Sequence, residues 1–288
     1  MGSTGSKTQK RDPTTNIAST NPQSAKVIRD VVDTYSSEYP KLRLTPIGQV
    51  SFEDGVEYTA AVNGIGQLFV SGEYRGDDDK LKADAIRANL RGQLAGSGIE
   101  GIYSHEVAHI LDQQLQGMVG ERSPVTSYRS AVVQEGTDRD LWSTLVGRPV
   151  HVGDTLKIGT EWNYDRPFVK IDGKSYTYNE VTSNGMVSDF IVGRAIANVQ
   201  RDWQELGYRY QPTTRELLTN LSGYARGSYE KSGSFAEAFA ESHSRYHSTV
   251  SNGHDPLTKE VVRLTRQLYK AVSGKKKTAY ILERGESA

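Results

Sequence analysis

Histidine occurs only six times in this chain, and two of the six stand in His105-Glu106-Val107-Ala108-His109. On a helix that turns ~100° per residue, positions four apart lie about 40° apart, so both imidazoles face one way and can grip one metal ion. Glu106 stands ~100° round from His105, too far to ligate but near enough to take a proton from water beside the metal. Zinc-assisted hydrolysis needs this arrangement: the metal lowers the pKa of water and a carboxylate removes its proton. Cysteine is absent, which excludes disulfides, thiolate nucleophiles and Cys-type zinc sites together. Any metal ligands must therefore be histidine or carboxylate.

The motif falls where a helix is expected. Ser97-Gly98-Ile99-Glu100 is a capping box, and Gly117 and Gly120 close the segment, predicting a helix over Gly98–Gln116. Ile99, Tyr103, Val107, Ile110 and Leu111 form an apolar arc on its far side, with the histidines and Glu106 on a polar stripe. The competing explanation is a surface helix that happens to carry two histidines. The capped helix, the scarcity of histidine and the apolar far face weigh against it.

A mononuclear catalytic zinc needs three protein ligands and an open position. The metzincin continuation is absent, because Asp112 and Leu115 stand where its Gly and third His would be. Ala236-Glu237-Ala238-Phe239-Ala240-Glu241 places two carboxylates on one face of another expected helix. One can bind the metal while the other hydrogen-bonds a ligating histidine. Gly136-Thr137-Asp138-Arg139-Asp140 offers a rival third ligand of the aspzincin kind, Asp140, but its G-T-x-D spacing fails at Arg139. His243 and His247 are also four apart, yet they face away from Glu237 on their helix and read as packing or solvent-facing residues.

The pairing of His105-Glu-Val-Ala-His109-Ile-Leu-Asp112 with Glu237-Ala-Phe-Ala-Glu241 resembles the gluzincin metalloproteases of the anthrax lethal factor and Pro-Pro endopeptidase type. The same motif pair occurs in metallopeptidase-like domains encoded by bacteriophages and mobile elements. The resemblance implies that His105, His109 and Glu237 bind Zn2+, that Glu106 is the general base, and that Glu241 and Asp112 support the ligating side chains. It also implies a tyrosine that stabilises the oxyanion. Tyr224, in Ser222-Gly223-Tyr224-Ala225, has the better wording, and Tyr229 the better spacing. Both remain candidates. In such enzymes an edge strand beside the metal pairs with extended substrate, and Gln67–Ser71 is the candidate strand.

The elements that must position these residues can be read in turn. A helix is expected from Ser24, with Val27, Ile28, Val31, Val32 and Tyr35 as its stripe, followed by strands at Leu42–Pro46, Glu57–Val62 and Gln67–Ser71. Asp77-Asp78-Asp79 reads as N-terminal charge on a helix over Lys80–Leu94 rather than as a calcium loop. Residues 118–146 read as loop and short helix, and Pro149–Tyr178 as strands with an Asp172-Gly173 hairpin turn. Further helices are expected along Val192–Leu206, Thr214–Leu221, Ser234–His247 and from Asp255-Pro256 to Gly274.

The expected whole is α+β: a zincin-like metallopeptidase domain over 26–274 with a small mixed sheet and a strand-rich insertion at 118–210. The Ser/Thr/Gly/Pro-rich residues 1–25 and the stretch 275–288 read as flexible tails. With 35 basic and 35 acidic side chains among 288 residues, the formal charge is zero, which argues against nucleic acid as a partner. No apolar run reaches the roughly 18 residues a membrane span needs, and the start carries no secretory h-region. The expected partner is a protein or peptide substrate. The expected location is the producing cell's cytoplasm, a virion, or outside the cell by a non-classical route. An inactive phage structural protein and a toxin with a specific host target are the other functions this reading allows.

Overall fold

The computed structural model describes residues 21–41, 50–63, 67–120, 125–146, 148–182, 186–248, 254–274 and 280–283. The strand expected at Leu42–Pro46 lies outside the described residues. The first half of the chain forms α1 (Pro22–Glu38), β1 (Val50–Glu53), β2 (Ala60–Val62), β3 (Leu68–Ser71), α2 (Asp78–Leu90), α3 (Gly98–Gly120), β4 (Val125–Val132) and α4 (Arg139–Val146). Then come β5 (Thr155–Trp162), β6 (Pro167–Ile171), β7 (Lys174–Thr177), α5 (Tyr178–Thr182) and α6 (Val187–Glu205). The last elements are α7 (Thr214–Leu221), α8 (Gly223–Ser232), α9 (Ala236–His247), α10 (Pro256–Val272) and β8 (Tyr280–Glu283). The class is α+β, as expected. Contacts divide the chain into two compact units, residues 1–114 with 188–266 and residues 115–187 with 267–288. The segment expected as an insertion, 118–210, supplies most of the second unit, but 188–210 belong to the first.

The first unit is mainly helical around a three-stranded sheet of order β1-β3-β2. β3 runs parallel to β1 and antiparallel to β2. Gln67–Ser71, expected at the edge, is therefore the central strand, and β1 and β2 form the two edges among the described residues. The hydrogen bonds Ser71 N–H to Thr59 O and Asn63 N–H to Gln67 O direct residues 59, 61 and 63 toward β3. By antiparallel alternation Ala60 and Val62 turn their N–H and C=O groups outward.

α1 begins at Pro22, earlier than the tail boundary expected from composition, and Ser24 and Ala25 are buried. The reason lies in α2. Asp77 caps α2 through Lys80 N–H, while Asp78 accepts from Gln23 N–H at 2.8 Å and from the Ser24 hydroxyl at 2.5 Å. One residue of the acidic run thus starts its own helix and the next anchors the start of another. The α6 stripe is buried at Val192, Ile196 and Val199, but Leu206 lies past the helix end and is 73% exposed.

In the second unit β4, β5 and β8 make an antiparallel sheet, and β6 and β7 a hairpin. The hairpin turns at Asp172 (φ 50°) and Gly173 (φ 76°), the left-handed pair an Asp-Gly turn supplies. A small cluster of Val133, Val150 and Leu156 forms its core beside Trp142 and Ile158. β4 and β8 were not expected. β4 alternates poorly and stays half exposed, so its strand state comes from pairing with β5. β8 pairs with β5 inside the stretch expected to be a tail. No helix among the described residues is long and apolar enough to cross a membrane.

Candidate metal centre

α3 carries the His-Glu-x-x-His motif, and it is not the half-exposed amphipathic helix its pattern suggested. Burial runs all round it, with His105 and Glu106 each only 8% exposed beside Ile102, Tyr103, Val107 and Leu111. A surface helix with two chance histidines would leave these rings in water. Gly98 opens the helix at φ +68°, a left-handed conformation that favours glycine. Gly101 lets the Gly96 backbone pass so close that a Cβ there would lie 2.6 Å from the Gly96 carbonyl carbon. Two bonds fix α3 against its neighbours: the Tyr35 hydroxyl of α1 donates to the Ser104 carbonyl at 3.1 Å, and the Ser244 hydroxyl of α9 to the Gly101 carbonyl at 2.6 Å.

α9 brings the carboxylates. His105 Nε2 and His109 Nε2 are 3.1 Å apart, and Glu237 Oε2 lies 3.1 Å from the first and 3.3 Å from the second. These three atoms form the one metal-ligating group of this kind among the described residues. A tetrahedral ion with arms of ~2.0–2.1 Å has ligand edges of about 3.3 Å, so the triangle fits an ion of zinc's size. Glu237 Oε2 and His105 Nδ1 are both buried and, despite their close contacts, neither has a hydrogen bond of good geometry. Buried polar atoms rarely go unsatisfied unless an ion or water serves them.

The surroundings strengthen the case for a cation. Glu241 Oε1 sits 2.9 Å from His105 Nδ1, and its other oxygen accepts from Ala95 N–H. Glu241 is 1% exposed, so its whole capacity is directed inward. Burial opposes charge on His105, but the carboxylates of Glu237 and Glu241 win and raise its pKa well above the usual imidazole range. Burial likewise works to raise Glu237, yet the two imidazoles hold it well below the usual carboxylate range. Glu106 is raised, chiefly by burial, with His105 and His109 opposing. A carboxyl tuned upward in this way is suited to accept a proton and return it.

Of the two tyrosines, the structure brings one to the centre. Tyr224, in the first turn of α8, has its ring centroid 5.9 Å from that of His105 and lines the same cavity as His105 and Glu106. Its phenol is pushed up to about 12, first by burial and then by Glu237, Glu106 and Glu241, so it stays a hydrogen-bond donor at neutral pH. Tyr229 stacks on Phe235 at 4.7 Å with planes 8° apart and is not among the lining residues. Asp112 is near His109, whose charge acts on its carboxyl, and its Oδ1 also accepts from Ser188 N–H at 2.9 Å and so secures the first turn of α6. Asp140 lies exposed on α4, and the carboxylate that reaches both rings is that of Glu237.

Sequence reasoning missed Asp189. Its Oδ1 accepts from the Ser234 hydroxyl at 3.0 Å and from Phe235 N–H at 2.5 Å, and Ser234 Oγ in turn accepts from Ala236 N–H. Phe235 has no side-chain acceptor of its own, so Asp189 organises the turn that starts α9. In the sequence it looks like any acid near a helix start. Comparison with protein-family models, curated proteins and solved structures finds no match to this chain.

Proposed function

We propose that the chain is a zinc-dependent metallopeptidase of the gluzincin type, with a zincin-like first unit. The observation that carries this is the triangle of His105 Nε2, His109 Nε2 and Glu237 Oε2, with edges of 3.1–3.3 Å in a partly buried site. Those three residues would hold the zinc, and Glu241 would fix the His105 ring through Nδ1. Zinc held there supplies Lewis acidity, which acidifies water and polarises a carbonyl.

The chain's own groups carry the rest. Glu106 removes the proton of the attacking water and later delivers it to the leaving amine, a round trip that suits a buried, upward-tuned carboxyl. Tyr224, protonated at neutral pH, donates toward the oxygen that gains charge in the transition state. Ala60 and Val62 of β2 offer free backbone groups to an extended peptide, in place of the central Gln67–Ser71 strand. The burial of α3 keeps bulk water from the base, which strengthens each of these electrostatic contacts.

The test pairs metal analysis with hydrolysis. The wild-type protein is expected to bind one zinc per chain and to cleave an unstructured protein substrate. Glu106→Gln is expected to keep the zinc and lose at least 100-fold in rate, since the amide cannot accept the proton. Full activity in that variant, or no zinc under metal-replete conditions, overturns the reading.

A further inference from the structure

Beside the metal centre lies a cavity of about 430 Å³, bounded by α3, the start of α8 and the chain that enters β2. Leu94, Ile102, Tyr58 and Tyr224 give it apolar walls. Ala60, whose backbone groups face away from β3, also lines it. The charged groups along it are Glu57, Glu106, Glu241 and His105, and no lysine or arginine is among them. His105 already lies against two carboxylates, and Glu106 and Glu241 are committed to the centre.

Glu57 is different. It is exposed, and no hydrogen bond or ion pair engages it among the described residues. Its neighbour Tyr58 donates to Glu53, and Arg75, the nearby cation of this sheet, pairs with Asp54 at 3.6 Å. Glu57 is thus a free carboxylate at the edge of an apolar cavity. Three carboxylates line the cavity, those of Glu57, Glu106 and Glu241, and that of Glu237 lies against His105, so together they outnumber the charge of one divalent ion. The field in the cavity is negative whether or not the metal is bound.

We propose that this cavity receives a lysine or arginine side chain of an extended peptide, with Glu57 taking its charge. A long cationic side chain suits both features, laying its methylene stem along Leu94, Ile102 and the tyrosine rings while its head stays at the wetter rim. An acidic side chain meets like charge there, and an aliphatic one leaves Glu57 unpaired, so the cavity discriminates by repulsion as well as attraction. The inference rests on the metallopeptidase reading for its substrate, a polypeptide, and it assigns Glu57 as the residue that sets specificity.

Binding measured without hydrolysis separates the two. The full chain carrying Glu106→Gln and loaded with zinc is titrated with fluorescent peptides of a Gly/Ala/Ser background that differ in one central residue: Lys, Arg, Leu, Phe or Glu. The Lys and Arg peptides are expected to bind about 3- to 5-fold tighter than the Leu peptide, the size a partly exposed ion pair supports, and the Glu peptide weakest. Adding Glu57→Gln is expected to bring Lys and Leu within twofold, and Glu57→Lys to reverse the order of Lys and Glu. Equal binding of Lys and Leu peptides by the parent, a lysine preference that survives both substitutions, or no binding by any peptide overturns the inference. Mass spectrometry of the same peptides with the wild-type protein tests the broader reading separately. Cleavage without a lysine preference leaves the peptidase and removes the role of Glu57. A Glu57-dependent preference without cleavage does the reverse.

Discussion

The molecule contains the same residue pair twice, and only one of the pairs is arranged to hold a metal. His105 and His109 on α3, and His243 and His247 on α9, are both i,i+4 histidines on buried helices. The α3 rings meet edge to face at 4.8 Å with Nε2 atoms converging on Glu237. The α9 rings lie 6.0 Å apart with planes at 21°, packed among Tyr35, Phe239 and Tyr246. His243 Nε2 reaches only the Thr265 hydroxyl, at 3.3 Å. The nearest carboxylate to His247, Glu38 at 3.9 Å, is held by Arg266 at 2.8 Å. Electrostatics follow: carboxylates raise His105, whereas burial, aided by Arg266, pushes His243 well down and His247 to about 4. Helical spacing therefore supplies the pair, and the opposing helix decides its chemistry.

The strongest test of that contrast removes the carboxylate. Glu237→Ala leaves two imidazoles, too few for tight catalytic zinc, and metal titration is expected to show affinity lower by at least two orders of magnitude. Asp140→Ala in the same titration is expected to match wild type. Should Asp140→Ala lose the metal while Glu237→Ala keeps it, the α3 pair would have another third ligand and the comparison would collapse.

The second pair predicts acid sensitivity. Both α9 rings have folded-state pKa values below the ~6.5 of an unfolded chain. Between pH ~6.5 and ~4 the unfolded chain binds protons there and the folded chain does not, so stability falls as pH drops through that window. The shift of His247 to about 4 corresponds to a loss on the order of 3 kcal/mol by the acid end. Denaturant melts across that range should show a shallower slope for His247→Phe, which keeps an aromatic ring against Tyr35. An unchanged slope would mean that His247 is charged in the folded state, and the two pairs would then be less different than their surroundings suggest.

A middling effect is expected at Glu241. On the proposed reading its 2.9 Å contact with His105 Nδ1 would orient a ligand, so Glu241→Ala should cost about 10- to 100-fold in zinc affinity. A loss equal to that of Glu237→Ala would mean that Glu241 itself ligates.

How much of this was legible depended on whether the information was local. The α3 helix, the Asp-Gly hairpin and the Thr214–Leu221 helix lie within a few residues of sequence and were readable there, whereas the Thr213–Glu216 capping box that starts α7 was not singled out. The Glu237–Glu241 pair was readable because four-residue spacing fixes a face. The order β1-β3-β2, which removes Gln67–Ser71 from the edge, is a long-range fact with no local signature. β4 and β8 were missed because pairing with β5 makes them strands. The choice of Tyr224 over Tyr229 likewise turned on Phe235, which stacks on one and leaves the other to the cavity.

The smallest expected effect separates the two ends of α9. That helix carries Glu237 and Glu241 in its first half and His243 and His247 in its second, so its start faces the candidate metal centre and its end the core. Asp189 acts only at the start, through Ser234 and Phe235. Asp189→Ala removes an acceptor that orders the first turn, a loss comparable to a helix cap, about 1 kcal/mol. The first turn should loosen and zinc affinity fall a few-fold. The far end is held by burial of His243 and Ser244 and by the Arg245–Asp255 ion pair at 2.7 Å, neither of which Asp189 touches. The slope of stability against pH set by His243 and His247 should therefore stay as in wild type. Asp189→Asn keeps an acceptor and should recover most of the zinc affinity, which a merely volume-filling role would not require. If Asp189→Ala alters the zinc affinity and the acid slope together, α9 responds as one rigid rod, and its two ends cannot be treated as separate regions.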